Sequence, residues 1–231
     1  MLDEDIHLGL HEEVMLLALH DKKGTIIGGV WHATALGGAI LSELLLRKKL
    51  EIETEGKKLF IKLIDKKPTG DEVLDEAIQK IADAKRRADA QTWVMRFSSM
   101  KQLWHRIARR LCDQKILRAD ERQLLLFFKQ KIYPERNHGP ERAIMGRLQD
   151  AVFTSAKSVD ARTVVLVSLA DASHLLPVLF DRKQLKERKD HIKKLVQGET
   201  VGGAARAAIQ SAQAAIMVAT MVPIMVAATS H

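Results

Sequence analysis

The sequence holds a single cysteine, Cys112, in 231 residues. That excludes an internal disulfide framework and fits a reducing compartment such as the cytosol. Proline (5 residues) and glycine (13 residues) are sparse and scattered, and few stretches look like linkers. A compact, mostly helical domain is the expectation. No internal repeat occurs. The start, Met1-Leu2-Asp3-Glu4-Asp5, is acidic and lacks an apolar stretch, so no signal peptide is expected. Signatures for myristoylation or prenylation are missing as well.

Catalytic constellations are also lacking. Asp171 and His174 share a helix face, yet no nucleophile accompanies them. The segment Gly198–Gly203 lacks the Lys-Ser/Thr pair of a phosphate-binding loop. His7 and His11 stand four residues apart beside Glu12, a spacing that can hold a metal, but no third ligand is evident. A surface or capping role is expected there, with no metal and no cofactor. Charge is absent beyond Arg206 through Ser230, long enough to raise the question of a membrane span. The stretch is rich in Ala and carries Gln210, Ser211, Gln213 and Pro223. Residues 207–230 therefore read as a buried or interface helix rather than a spanning one.

What the sequence has in surplus is positive charge in one place. Lysine and arginine number 37 against 29 acids, a net of +8. The segment Lys85–Arg118 holds ten of those bases (Lys85, Arg86, Arg87, Arg96, Lys101, Arg106, Arg109, Arg110, Lys115 and Arg118) against two acids, Asp89 and Asp113. This one stretch carries the whole excess. Shortly after it comes an unbroken apolar run, Leu124, Leu125, Leu126, Phe127 and Phe128. A basic surface beside such a run points to a polyanion partner, either a membrane or a nucleic acid.

Periodicity predicts helices over His11–Leu19, Thr34–Leu46 and Glu72–Ala84, with a β-hairpin from Leu50–Thr54 and Leu59–Ile64. Gln91–Lys115 reads as one amphipathic helix. Met100, Leu103, Trp104, Ile107, Ala108 and Leu111 share one arc, and Lys101, His105, Arg106, Arg109 and Arg110 the other. A second hairpin is expected from Ile116–Arg118 and Leu124–Tyr133 around a turn at Ala119–Arg122. Helices over Ala143–Ala156, Ala161–Phe180 and Lys183–Val196 follow, then the charge-free tail.

The ordered strings Glu12–Leu19 with Asp21–Gly24, Gly38–Arg47, Pro68–Ala77, Leu111–Leu117 and Leu124–Phe127 resemble the Golgi phosphoprotein 3 family, whose domain is called GPP34. The resemblance spans nearly the whole chain. It implies one mainly α domain over residues 1–231, with a protruding hairpin after the basic helix. The long acidic N-terminal extension of eukaryotic members is missing, so the chain looks more like a bacterial member. Eukaryotic members bind phosphatidylinositol 4-phosphate on a basic face and sort glycosyltransferases by their cytoplasmic tails. The family's headgroup pocket uses a Trp and an Arg near the second helix and two Arg before the hairpin. Trp31 is the counterpart of the Trp, a few positions late. Gly37, Lys101 and Trp104 stand where the family has its three Arg, while Arg106 and Arg109 are kept and Arg110 is added. Lysine lacks the rigid fork of Arg, so relaxed selectivity among anionic lipids is expected.

The sequence thus reads as a non-enzymatic, peripheral membrane adaptor. Lys101, Arg106, Arg109 and Arg110 are expected to hold anionic headgroups, with Trp31 at the border and Trp104 in the core. Leu124–Phe128 is expected to aid self-association or insertion. Partners are an anionic phospholipid surface, cytoplasmic tails of membrane proteins and a second copy of the chain. The location is the cytoplasmic side, at the Golgi or at the inner face of a bacterial membrane. At about 1 kcal/mol per base, five bases give about 5 kcal/mol and a dissociation constant near 10⁻⁴ M. Charge alone is therefore weak, and a second contribution is needed. The alternative is a winged-helix nucleic-acid binder. A wing, however, carries basic and polar residues rather than Leu-Leu-Leu-Phe-Phe, so no nucleic acid is expected.

Overall fold

The computed structural model describes residues 7–20, 23–27, 32–56, 58–125, 128–154 and 159–198, with side chains at all but 32, 124, 125, 128 and 129. Its centre is a short helix, α1 (Leu10–Leu17), in which all 8 residues are buried. Glu12 accepts the Gly9 N–H at 2.8 Å and closes the start of the helix. Leu10, Met15, Leu16 and Leu17 are fully buried, each contributing about 2 kcal/mol of transfer free energy. A small hairpin of β1 (Leu19–His20) and β2 (Thr25–Ile26) follows. Gly24 turns it with φ 58°, and a Cβ there would meet Pro134 N at 2.3 Å.

The second helix, α2 (His32–Leu46), lies against α1. β3 (Leu50–Glu55) and β4 (Lys58–Leu63) then pair antiparallel, from Leu50↔Leu63 to Glu55↔Lys58, as the sequence predicts. α3 (Glu72–Ala82) starts where Asp71 accepts the N–H groups of Val73 and Leu74. The expected basic helix is divided. α4 (Ala90–Ser98) packs on α2, and α5 (Leu103–Asp113) packs on α1 and α3. Gln102 between them is left-handed, φ 52°, a conformation that stops a helix even without glycine. Lys101 therefore sits on an exposed turn rather than on a helix face.

The second hairpin also differs from expectation. Asp120, Glu121 and Arg122, expected in the turn, lie in β5 (Asp120–Leu125), which pairs with β6 (Phe128–Ile132). The ladder runs from Asp120↔Ile132 to Leu125↔Phe128. Residues 120–123 are exposed, so no core dictates an alternating apolar pattern there. Leu124, Leu125 and Phe128 thus fall at the far end of the hairpin; Leu126 and Phe127 lie outside the described residues. α6 (Gly139–Phe153) and α7 (Ala161–Ala172) pack together and on α1. His174, φ 57°, ends α7 earlier than expected, before α8 (Leu176–Leu179). α9 (Arg182–Glu187) and α10 (Lys189–Val196) replace the single last helix. The charge-free tail at 207–230 lies outside the described residues, and among those residues no helix is long and apolar enough to cross a membrane.

Candidate anion-binding surface

Two arginines of α5 point at neighbouring helices. Arg106 donates to Glu72 at 2.9 Å, to Glu76, and to the Glu72 carbonyl at 3.2 Å. Arg110 reaches Glu12 at 3.1 Å, Asp71 at 3.0 Å and the Gly70 carbonyl at 3.1 Å. His11 completes this knot with Nε2 3.1 Å from Asp71. It is fully buried, so the expected surface role is corrected: α1 is wrapped on all sides. Burial opposes ionisation of Asp71, yet the His11 contact, the Leu74 N–H and Arg110 together hold its carboxyl far below the usual range. His11, Glu12 and Asp71 are close enough to hold a metal ion. The cation between the two carboxylates is the Arg110 guanidinium, so the cluster is an ion-pair network joining α1, α3 and α5.

Six of the segment's ten bases, Lys85, Arg86, Arg96, Lys101, Arg109 and Lys115, have no carboxylate partner among the described residues. Arg87, Arg106, Arg110 and Arg118 are paired. Arg96 instead lies over the Trp93 ring, 4.7 Å from its centroid. Arg109 is exposed and borders a cavity of about 520 Å³ between α5 and the β5–β6 hairpin. Gln102, His105, Cys112, Lys131 and Tyr133 share its wall, and Asp120 and Glu121 form an acidic edge on β5. Tyr133 is fixed by its N–H to the Gly24 carbonyl at 2.9 Å, and its hydroxyl lies 2.9 Å from His105 Nδ1. Burial, then Lys131 and Arg109, push the His105 pKa down. The field at this imidazole is positive, which suits an anion.

The structure thus separates the expected headgroup residues. Lys101 and Arg109 are exposed, whereas Arg106 and Arg110 are held by carboxylates. Trp104 is half-buried and packs on the core near Val14, Ala18, Ile27, Ala35 and Leu36, as expected. Trp31 lies outside the described residues. At Gly37, a Cβ would stand 2.3 Å from Ser98 Oγ and 2.4 Å from the Val94 carbonyl. The backbone of α2 approaches α4 too closely there for a guanidinium-bearing side chain. Sequence reasoning missed Lys131 and Tyr133, because the displaced turn hid which hairpin residues return to α5.

Residues 10–212 match the family described as Golgi phosphoprotein 3 (GPP34). A curated relative is "Vacuolar protein sorting-associated protein 74" of Schizosaccharomyces pombe, 28% identical over 215 residues. That alignment covers 79% of this chain and 63% of the relative, so the chain spans less than two thirds of the relative's length. The family match takes in α1, the ion-pair knot, α5 and the hairpin alike, and on that ground the chain belongs to the Golgi phosphoprotein 3 (GPP34) family.

Proposed function

We propose that this protein is a peripheral membrane adaptor that docks on anionic phospholipid headgroups. The observation that carries the reading is the set of unpaired bases on and around α5, with Lys101 exposed on the turn before α5 and Arg109 exposed at the cavity at the base of the hairpin. Lys101 and Arg109 meet the headgroups, joined by Lys131 from β6. Arg106 and Arg110 hold α5 against α3 and α1 so that this face stays turned outward. These three bases at about 1 kcal/mol each bind only with a dissociation constant of about 6 mM. The apolar run Leu124–Phe128 supplies the rest, by insertion or by joining two copies. The family resemblance assigns Trp31 to the same headgroup site.

Family membership supports a Golgi role with phosphatidylinositol 4-phosphate as ligand and cytoplasmic tails of membrane proteins as cargo, on the cytoplasmic face. The close packing at Gly37 and the core position of Trp104 leave out two Arg of the family pocket. Selectivity for the 4-phosphate is accordingly relaxed in this chain, and a bacterial member would use a general anionic lipid. No catalytic role is assigned. Co-sedimentation with neutral, anionic and phosphatidylinositol 4-phosphate vesicles at two salt concentrations tests the proposal. Salt-sensitive binding to any anionic vesicle, lost in Lys101→Glu/Arg109→Glu, is expected. Binding to no vesicle, or to duplex DNA in preference, refutes it.

A further inference from the structure

On the side of α1 away from the Arg110 knot lies a second, separate constellation. Glu13 and Glu43 are buried, at 4% and 0% exposure. Arg147 of α6 donates to Glu13 Oε1 at 2.6 Å. Arg162 of α7 donates to Glu43 at 2.9 Å and to the Leu8 carbonyl at 3.2 Å. Arg47, just past the end of α2, gives its Nε to Glu43 at 2.6 Å, and the Leu10 N–H reaches the same carboxylate at 2.8 Å. Glu43 is thus satisfied. Burial opposes its charge, but Arg162, the Leu10 N–H and Arg47 outweigh burial and hold its carboxyl below the usual range.

Glu13 is not satisfied. Its Oε2 is buried without a hydrogen-bond partner, and Arg162 Nη1 stops 3.9 Å away. Burial pushes the Glu13 pKa up despite Arg147 and Arg162. A cavity of about 430 Å³ opens beside it, bordered by Glu13, Arg47, Arg147, Arg162 and His7. The terminal nitrogens of Arg47 and the Nε and Nη1 of Arg147 have no protein acceptor among the described residues. The cavity therefore has two guanidinium groups with spare donors, and beside it the buried, unpartnered acceptor Glu13 Oε2. Three Arg against two Glu leave it positive even with both carboxylates charged.

A ligand that fits needs several acceptor oxygens for the guanidiniums and one O–H for Glu13 Oε2. A carboxylate or sulfate has the acceptors but carries no proton near neutral pH. Hydrogen phosphate has both on one centre. We propose that this cavity, at the junction of α1, α2, α6 and α7, is a binding site for a protonated phosphate, either free phosphate or the phosphomonoester head of a lipid. None of its lining residues belongs to the α5 face, so the site stands or falls independently of the membrane docking proposed above.

Calorimetric titration of the full chain with inorganic phosphate and with sulfate at pH 7.5 tests this. Phosphate is expected to bind at least about tenfold tighter than sulfate, the difference made by one charge-assisted hydrogen bond. Arg47→Gln, on a half-exposed side chain whose partner Glu43 keeps Arg162 and Leu10, is expected to weaken phosphate by about tenfold with the fold intact by circular dichroism. Glu13→Gln supplies an amide donor and is expected to reverse the preference toward sulfate. Because protonated Glu13 can itself donate, sulfate should gain on phosphate as the pH falls toward 5. His7, Arg47, Arg147, Arg162 and Glu43 are the other charged or titratable groups facing Glu13 in that titration. Competition for phosphate by phosphatidic acid vesicles, and none by phosphatidylcholine, assigns the lipid head as source; no competition by either assigns free phosphate. Equal affinities for phosphate and sulfate in wild type, or no heat with phosphate at about 10 mM, overturns the proposal.

Discussion

Asp71 performs two tasks with one carboxylate, and mutation can separate them. One oxygen caps α3, accepting from Val73 at 2.9 Å and Leu74 at 3.1 Å. The other faces His11 and Arg110. The cap is worth about 1 kcal/mol. Removing the partner of a buried charge costs about 3 kcal/mol or more, but Arg110 is 35% exposed and keeps Glu12, so about 2 kcal/mol is the better figure here. Asp71→Asn keeps a capping oxygen and should lose about 2 kcal/mol, while Asp71→Ala loses both, about 3 kcal/mol. Asp181→Ala, which removes only the exposed cap of α9, should lose about 1 kcal/mol. At about 3 °C per kcal/mol for a chain of this length, Tm falls by about 6, 9 and 3 °C at pH 7. The acid arm is equally specific. The Asp71 carboxyl is held far below its ordinary value. Its contribution is full above about pH 4 and disappears as the pH falls through the depressed value. The gap between wild type and Asp71→Asn should therefore narrow on acidification. If Asp71→Asn melts within about 1 °C of wild type at pH 7, the ion-pair account of this knot is wrong.

Lys101→Glu/Arg109→Glu should abolish vesicle binding with Tm within about 1 °C of wild type, whereas Arg106→Gln should lower Tm by about 3 °C and spare binding; co-sedimentation and melting curves on the same samples separate the two classes. Gly37→Ala should cost about 2 kcal/mol through contact with Ser98 and the Val94 carbonyl, and Gly37→Arg should not restore a selective headgroup pocket, as a lipid panel would reveal. The depressed His105 pKa should rise when an anion occupies the cavity beside Arg109 and Lys131, read by NMR titration of the imidazole with and without short-chain anionic lipid. An unchanged His105 titration on binding would place the headgroup elsewhere.

The N-terminal half of the fold was legible for reasons that can be named. Pro68-Thr69-Gly70-Asp71 marks the start of α3, and a Gly with φ 59° closes the β3–β4 hairpin at Gly56. The break at Gln102 was not legible, since it is left-handed without glycine or proline nearby to announce it; at the left-handed His174 the one local signal is Pro177, three residues on. The arcs of α5 were read correctly, because Leu103, Ile107, Ala108 and Leu111 are all buried. What the polar arc faces was invisible. Glu72, Glu76 and Glu12 lie in other elements, and nothing local in the sequence reports that Arg106 and Arg110 meet them while Arg109 does not.

The encirclement of α1 has a consequence for how the chain is made. Glu12 waits for Arg110, 98 residues later; Glu13 waits for Arg147, 134 residues later; the Leu8 carbonyl waits for Arg162, 154 residues later. Loops of that size close slowly. On the ribosome the first helix therefore emerges with its two carboxylates unmet until α5 and α6 have been synthesised, and with the Leu8 carbonyl before it unmet until α7. At about 5–20 residues per second, that interval lasts several seconds or more. The earliest helix in the chain is among the last to be completed, and chaperone binding during synthesis should concentrate on it.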